Sequence, residues 1–312
     1  MARGRSRRSR RRLGSERAGH PGAVRPAVTG STENVQQTPE VADEAAHFLV
    51  TGAGFTPTRY AQSHWGEDHL NGPAVVGLIA RGLEKECGSA EFHPTRLTVD
   101  LFRAARNAFT TLDIRVVRDG RRVRSAECDV MQDGRAVARA TLIQYRPSAP
   151  PPGRLWHPAS AAPEFPEPDG ALQPFVGSDD VGWTRSPAEH QNASRKRFFN
   201  DGIRVVAGEA SSPFVRAAMV AEATSLVTNL GTAGVGYING DLTVALSRLP
   251  VDDWIGIEAD SHHAAAGVAV GTATLFDSQG AFGAGLTTAV ANPAAQIDFS
   301  TKSFSPGDIN YE

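Results

Sequence analysis

Apolar positions follow two rhythms along this chain. Between Asn71 and Glu86, "NGPAVVGLIARGLEKE" is apolar around most of its circumference, which predicts a helix enclosed by other elements, and Pro73 suits its first turn. Strand-like runs follow at 96–103, 111–118, 122–131 and 136–145, and Asp119-Gly120 and Asp133-Gly134 supply tight turns between them. A shorter strand is expected around Tyr60–Trp65. Further along, the order returns. A strand near 196–206 leads to Ser211-Ser212-Pro213, a cap followed by a first-turn proline, and then to an apolar helix reaching about Asn229 with Gly231 as its stop. Strands are expected again at 237–248, 254–260, 267–276 and 282–290, with Gln279-Gly280 as the last turn.

The recurrence extends to wording. "LTVDLFR" (Leu97–Arg103) and "LTVALSR" (Leu242–Arg248) lie 145 positions apart, and the turn glycines Gly134 and Gly280 lie 146 apart. Two stretches sharing a few β-branched residues could coincide, but helices, strands and turns recurring in the same order at similar offsets read as duplication of a whole unit. Each unit is a strand, a buried helix and four antiparallel strands, so a curved sheet closed around one helix is expected. The boundaries read as 47–146 for the first unit and 196–293 for the second. Between them, 147–195 reads as a Pro-rich linker: half of the twenty prolines fall between Pro147 and Pro187. Its Trp156, Phe165, Phe175 and Trp183 imply that it lies against the protein surface. Residues 1–46 read as a disordered basic extension and 294–312 as a C-terminal tail.

Charge and cysteines narrow the classes. The formal net charge is −2, yet residues 1–27 hold nine Arg and one Glu, so that segment is +8 and the remainder −10. An acidic body argues against a nucleic-acid-binding core. The arginines have no apolar stretch behind them, so they do not form a secretory signal, and translation starting near Val28 is one explanation for the basic arm. No apolar run is long enough to span a bilayer. Cys87 and Cys128 show no metal-type spacing and read as packing residues of a reducing, cytoplasmic setting.

Three stretches carry a family resemblance. "HLNGPAVVGLIARGLE", the sheet-forming "RLTVDLFRAARNAFTTLDIRVVRDGRRVRSAECDVMQDGRAVARA" and "YINGDLTVALSRLPVDDWIGIEA", together with the helix "VRAAMVAEATSLVTN", resemble actinobacterial double-hotdog acyl-CoA thioesterases of the thioesterase II type. The likeness covers about residues 55–146 and 196–292. It implies an α+β fold, a double hotdog with two tandem antiparallel sheets each wrapping a central helix. It also implies hydrolysis of a fatty acyl-CoA thioester by activated water, with no metal or organic cofactor, and an acyl chain lying between the helices and sheet of the two halves. Hotdog sheets commonly pair with one another, which leaves homo-oligomerisation open.

Thioester hydrolysis needs a positioned water, a proton acceptor and donors for the developing oxyanion. Backbone N–H groups at the buried helix's N-terminus serve as donors in the family, which by resemblance points to Gly72 and Ala74; Pro73 has no N–H. The alternative is that "NGP" merely starts a helix. Glu222 sits in "AAMVAEATSLV", an almost wholly apolar helix, where a carboxylate is costly unless paired and where burial raises its pKa toward the range of a general base. The family's catalytic aspartate falls at Glu222 or, one helical turn on, at Ser225; pairing of Glu222 with Arg204, Arg248 or the linker is the structural alternative. The family's glutamine position falls on Thr287 or Thr288, so that amide is missing. Asn239 and Asp241 are placed to hold a water, or else form a strand-entry turn. His69 matches a family position that shapes the pocket, whereas His64 reads as structural, and His262-His263 is expected in a turn without a third ligand. A hydratase is disfavoured because Asp68 is followed five residues later by Pro73 where His is required. A protein that holds an acyl-CoA or acyl chain without cleaving it is the remaining alternative.

Overall fold

The computed structural model describes residues 44–156, 163–303 and 306–307. The basic arm and the expected start near Val28 lie outside the described residues. Among those described, three helices, α1 (Gly72–Cys87), α2 (Pro213–Glu222) and α3 (Thr224–Asn229), pack on one large antiparallel sheet. No helix among them is long and apolar enough to cross a membrane.

The two halves share one topology. In the first, the sheet runs His93–Leu101, Arg135–Tyr145, Val123–Gln132, Thr111–Asp119; in the second it runs Asp241–Leu246, Gly280–Ala291, Val268–Asp277, Ile255–Ala265. In each half the first strand therefore pairs with the fourth. The halves then join through the repeated heptapeptides themselves. Leu242 pairs with Val99, Thr243 with Thr98 and Val244 with Leu97, antiparallel, so a pseudo-twofold axis passes between Thr98 and Thr243. Leu97, Val99, Leu242 and Val244 all point inward and are essentially inaccessible, each contributing about 1.5–3 kcal/mol of apolar burial. What the sequence suggested as two tandem sheets is one sheet continued across this axis.

Each helix explains its own position. Asn71 caps α1: its Oδ1 accepts from the Ala74 N–H at 2.8 Å, and its Nδ2 donates to the carbonyls of Tyr60 and Gln62. Ser212 caps α2 in the same way, accepting from the Val215 N–H. The helices then cross closely, because Gly77 leaves no side chain where the Met219 side chain and Val205 pass.

Four expectations are corrected. The second helix is not continuous: it tightens at Ala223, whose N–H bonds to Val220 O at 3.0 Å, and the Thr224 hydroxyl bonds to Ala221 O at 2.6 Å. The stretch expected as a Pro-rich linker low in regular structure supplies two strands, Phe175–Ser178 and Gly182–Thr184, which extend the sheet beyond Lys196–Asn200. Its aromatics explain this: Phe165 stacks on Phe199 over the bare backbone of Gly256, and the Trp183 indole N–H donates to Glu164 O. His262 and His263 lie inside the strand Ile255–Ala265 and not in a turn. Around Tyr60–Trp65 the chain makes a 3-10 turn (Arg59–Ala61) and only the first strand of a small hairpin. The periodicity also gave no notice of the strands Ala46–Thr51 and Gly54–Pro57, which form a separate small sheet with Arg204–Val206.

Candidate active site

A cavity of about 520 Å³ opens where the halves meet, lined from α1, α2, α3, the 3-10 turn, the strand ends near Leu101 and Asn239, and the C-terminal segment. Most of its wall is apolar, with Leu70, Val75, Met219, Leu226 and Ile238 among the contributors. Polar groups converge at one place, beside the N-terminus of α1.

Glu222 is the last residue of α2 and turns its carboxylate into this cavity. The tightening at Ala223 ends the helix there and lets the next residues continue along a new turn. The carboxylate lies over Gly72, so closely that a Cβ at residue 72 would come within 2.0 Å of Glu222 Oε1. Asn239 Nδ2 donates to the same oxygen at 3.3 Å. Arg204 and Arg248, weighed as alternatives for its partner, are engaged elsewhere, with Glu44 and Asp277. Burial therefore dominates, lifting the Glu222 carboxyl from its ordinary 4.5 to about 7 against the opposing effect of the Asn239 hydrogen bond.

Five of the residues singled out from sequence meet in the cavity wall: Gly72, Glu222, Ser225, Asn239 and His69. The Gly72 N–H has no hydrogen-bond partner among the described residues, and it sits at the positive end of α1. Ser225 faces the cavity beyond Glu222. His69 stands at its side, half-buried, held below the usual histidine range by burial and by Arg106.

Three residues do not belong to the cavity wall. The Ala74 amide is taken by Asn71 Oδ1, so it is a cap and no oxyanion donor. Thr287 is completely buried and donates its hydroxyl to the Asp241 carbonyl at 2.9 Å. The Asp241 carboxylate accepts from the Thr288 N–H at 2.7 Å and from the Thr288 hydroxyl. These bonds fasten the end of strand Asp241–Leu246 to its neighbour and engage both oxygens of the Asp241 carboxylate. They hold Asn239, two residues earlier, against Glu222.

Sequence reasoning missed His47 and the C-terminal segment. His47 lines the cavity, accepts no charge readily because burial drives its pKa down to about 4, and bonds through Nδ1 to Tyr60 O. Ile297 and Phe299 cover the cavity; their backbone is tied to Val235 and Gln191, and Ser303 O meets His64 Nε2 at 2.8 Å. A single outlying apolar pair in "AQIDFST" was the only signal for this packing.

One buried helix per half gripped by a curved antiparallel sheet, with a polar cluster at the helix N-terminus facing the second half, defines a double-hotdog protein. Residues 61–144 match the acyl-CoA thioesterase N-terminal domain and residues 147–285 the acyl-CoA thioesterase C-terminal domain. The chain belongs to the acyl-CoA thioesterase family, enzymes that hydrolyse acyl-CoA thioesters. The second match includes the segment that the sequence suggested was a linker. Solved structures that share the fold include the following three. A protein described as a thioesterase II from Thermobifida fusca YX is 17% identical, with a TM-score of 0.61 over 80% of this chain and 97% of that one. A tesB protein from Mycobacterium avium subsp. paratuberculosis is 15% identical, TM-score 0.57, with the same coverage. A hot dog fold protein of unknown function from Alicyclobacillus acidocaldarius is 16% identical, TM-score 0.56, again over 80% and 97%. No curated protein matches the sequence.

Proposed function

We propose that this thioesterase acts on fatty acyl-CoA, with Glu222 as general base and the Gly72 N–H as oxyanion donor. The observation that carries the reading is a carboxylate with a pKa near 7 lying over Gly72, whose unpartnered N–H opens a buried helix. The thioester carbonyl oxygen accepts from the Gly72 N–H, where the helix end favours developing negative charge. Glu222 takes a proton from water as the water oxygen bonds to the carbonyl carbon. The tetrahedral intermediate then collapses, the carbon–sulfur bond breaks, and the proton passes from Glu222 to the departing sulfur. Asn239 fixes the carboxylate's orientation. Ser225 and His69 flank the thioester, and the apolar remainder of the cavity receives the acyl chain. A threonine, Thr287 or Thr288, stands where the family's glutamine is expected, so the acid–base work falls on one carboxylate. The buried, unpaired Cys87 and Cys128 suit a reducing compartment, and the reading places the enzyme in the cytoplasm and in lipid metabolism.

The test is thiol release from acyl-CoAs of increasing chain length, followed for wild type and Glu222→Gln. Turnover lost in the variant with binding retained supports the reading. Binding of acyl-CoA without thiol release by the wild type would sink it and leave a carrier of acyl-CoA.

A further inference from the structure

The duplication gives the residues around Arg103 counterparts in the other half, and Arg103 differs sharply from its own. Its counterpart is Arg248, at the offset of 145 that also relates the two strand pairings closing this corner. Phe102 N–H donates to Val137 O in the first half, and Ser247 N–H donates to Phe282 O in the second. Gln132 and Asp277 end corresponding strands of ten residues. Both cap the same backbone position: Gln132 Oε1 accepts from the Arg106 N–H at 2.9 Å, and Asp277 Oδ2 accepts from the Val251 N–H at 2.9 Å.

The corners diverge in one chemical respect. Asp277, fully buried, also binds Arg248 through two hydrogen bonds of 2.5 and 2.6 Å, and the guanidinium lies over the Phe282 ring. Gln132 carries an amide nitrogen where the second carboxylate oxygen would be, and that nitrogen donates to Arg106 O and the Thr110 hydroxyl. A donor cannot receive a guanidinium. Arg103 consequently has no ion pair and no side-chain hydrogen bond among the described residues. It is exposed, and it lines the cavity together with Ala104, Ala105 and Val137, the small counterpart of Phe282. The other arginine of this loop, Arg106, is held by Asp68.

We propose that Arg103 is a specificity residue for the coenzyme half of the substrate, binding its phosphate groups at the mouth of the cavity. The proposal rests on the acyl-CoA thioesterase reading of this cavity. An accessible guanidinium at the rim of an apolar cavity suits a phosphate, which takes its planar fork at two oxygens, while the acyl chain occupies the apolar interior. The freed cation lines the same cavity as His69, Gly72 and Glu222.

The test compares one acyl chain carried on CoA and on pantetheine, which lacks every phosphate, using wild type, Arg103→Ala, Arg103→Lys and Arg118→Ala. Arg118 lies on the outer strand Thr111–Asp119, away from the cavity. Arg103→Ala is expected to raise KM for the CoA ester about tenfold with kcat within twofold, and to leave the pantetheine ester unchanged. Arg103→Lys, which keeps the charge and loses the fork, should recover part of the loss, and Arg118→Ala should match wild type. Equal losses on both esters, no loss on the CoA ester, or an equal loss in Arg118→Ala would overturn the proposal. Should the wild type hydrolyse neither ester, the thioesterase reading fails by itself. Calorimetric titration with free CoA at low salt still decides about Arg103: weaker binding in Arg103→Ala supports the proposal, and equal or absent binding refutes it.

Discussion

A carboxylate enclosed by apolar side chains is disfavoured in its charged form, and at Glu222 that cost is what would suit it to the proposed role of base. The folded pKa near 7 stands above the ordinary 4.5, so between those values the folded protein holds a proton that the unfolded chain releases. Stability therefore falls as pH rises through that window, and the full penalty is present above pH 7. At 1.36 kcal/mol per unit the penalty reaches about 3 kcal/mol. Glu222→Gln is expected to unfold at higher denaturant at pH 8, by up to that amount, and to match wild type at pH 4, where both states are protonated. An equal gain at both pH values would contradict the burial argument. In wild type, kcat/KM should climb with pH through about 7, as the base form appears, while the variant loses roughly two to four orders of magnitude in kcat. Gly72→Ala tests the neighbour. The new Cβ would stand 2.0 Å from Glu222 Oε1, so the carboxylate must leave its place over residue 72. A fall of about a hundredfold in kcat/KM is expected, and a variant of wild-type activity would show that their contact is incidental.

Elements place that carboxylate, and the break between α2 and α3 is the device. Thr224 and Thr228 bond their hydroxyls back to Ala221 O and Thr224 O, and both press onto glycines of the sheet beneath. A Cβ at Gly285 would meet Thr224 Oγ1 at 2.0 Å, and one at Gly271 would meet Thr228 Oγ1 at 2.3 Å. Both contacts are with β-branched side chains inside a packed helix, which cannot swing aside cheaply. Gly285→Ala is expected to cost about 1–3 kcal/mol and to lower kcat as well, because it displaces the turn that aims Glu222. Urea denaturation and steady-state kinetics check the two effects, and stability lost without any change in kcat would separate the break from the site. Regular elements were legible because their period and turn signals agree: α1 differs by one residue at each end from its expectation, the turn at Asp133-Gly134 lies where expected, and the last turn falls one residue earlier, at Ser278-Gln279. The helix break was not legible, since Ala223 and Thr224 are ordinary helix residues and only tertiary contact decides their hydroxyl partners. The strands at Phe175 and Trp183 were hidden by prolines that sit beside them and outside their pairing. Of the site, Glu222 could be read from its apolar setting, whereas the engagement of Ala74 by Asn71 and of Thr287 by Asp241 depends on hydrogen-bond geometry that spacing does not encode.

At the scale of the molecule, the two halves are complementary and unequal. Glu222 comes from the second and Gly72 from the first, so the proposed chemistry exists only where both are present. The opposite junction is closed: the Ser212 hydroxyl at the start of α2 donates to Glu84, and Arg81 is bound to Glu209. Duplication thus supplied two helix N-termini, and one became the lining of a cavity while the other became a joint. The same division fixes how the protein should fold. Either half alone would leave an edge strand carrying Leu97 and Val99, or Leu242 and Val244, without its partner, and would uncover the helix face that Gly77 and Met219 share. Unpaired apolar edges favour aggregation. Residues 44–156 and 163–303, produced separately, are therefore expected to be poorly soluble and to unfold without a cooperative transition. Refolded together from denaturant, they should recover a single cooperative transition and thiol release. Circular dichroism melts of each fragment and of the mixture measure this directly. A sharp, independent transition from either fragment would mean that the shared edge is a later convenience and that each half carries a self-sufficient core.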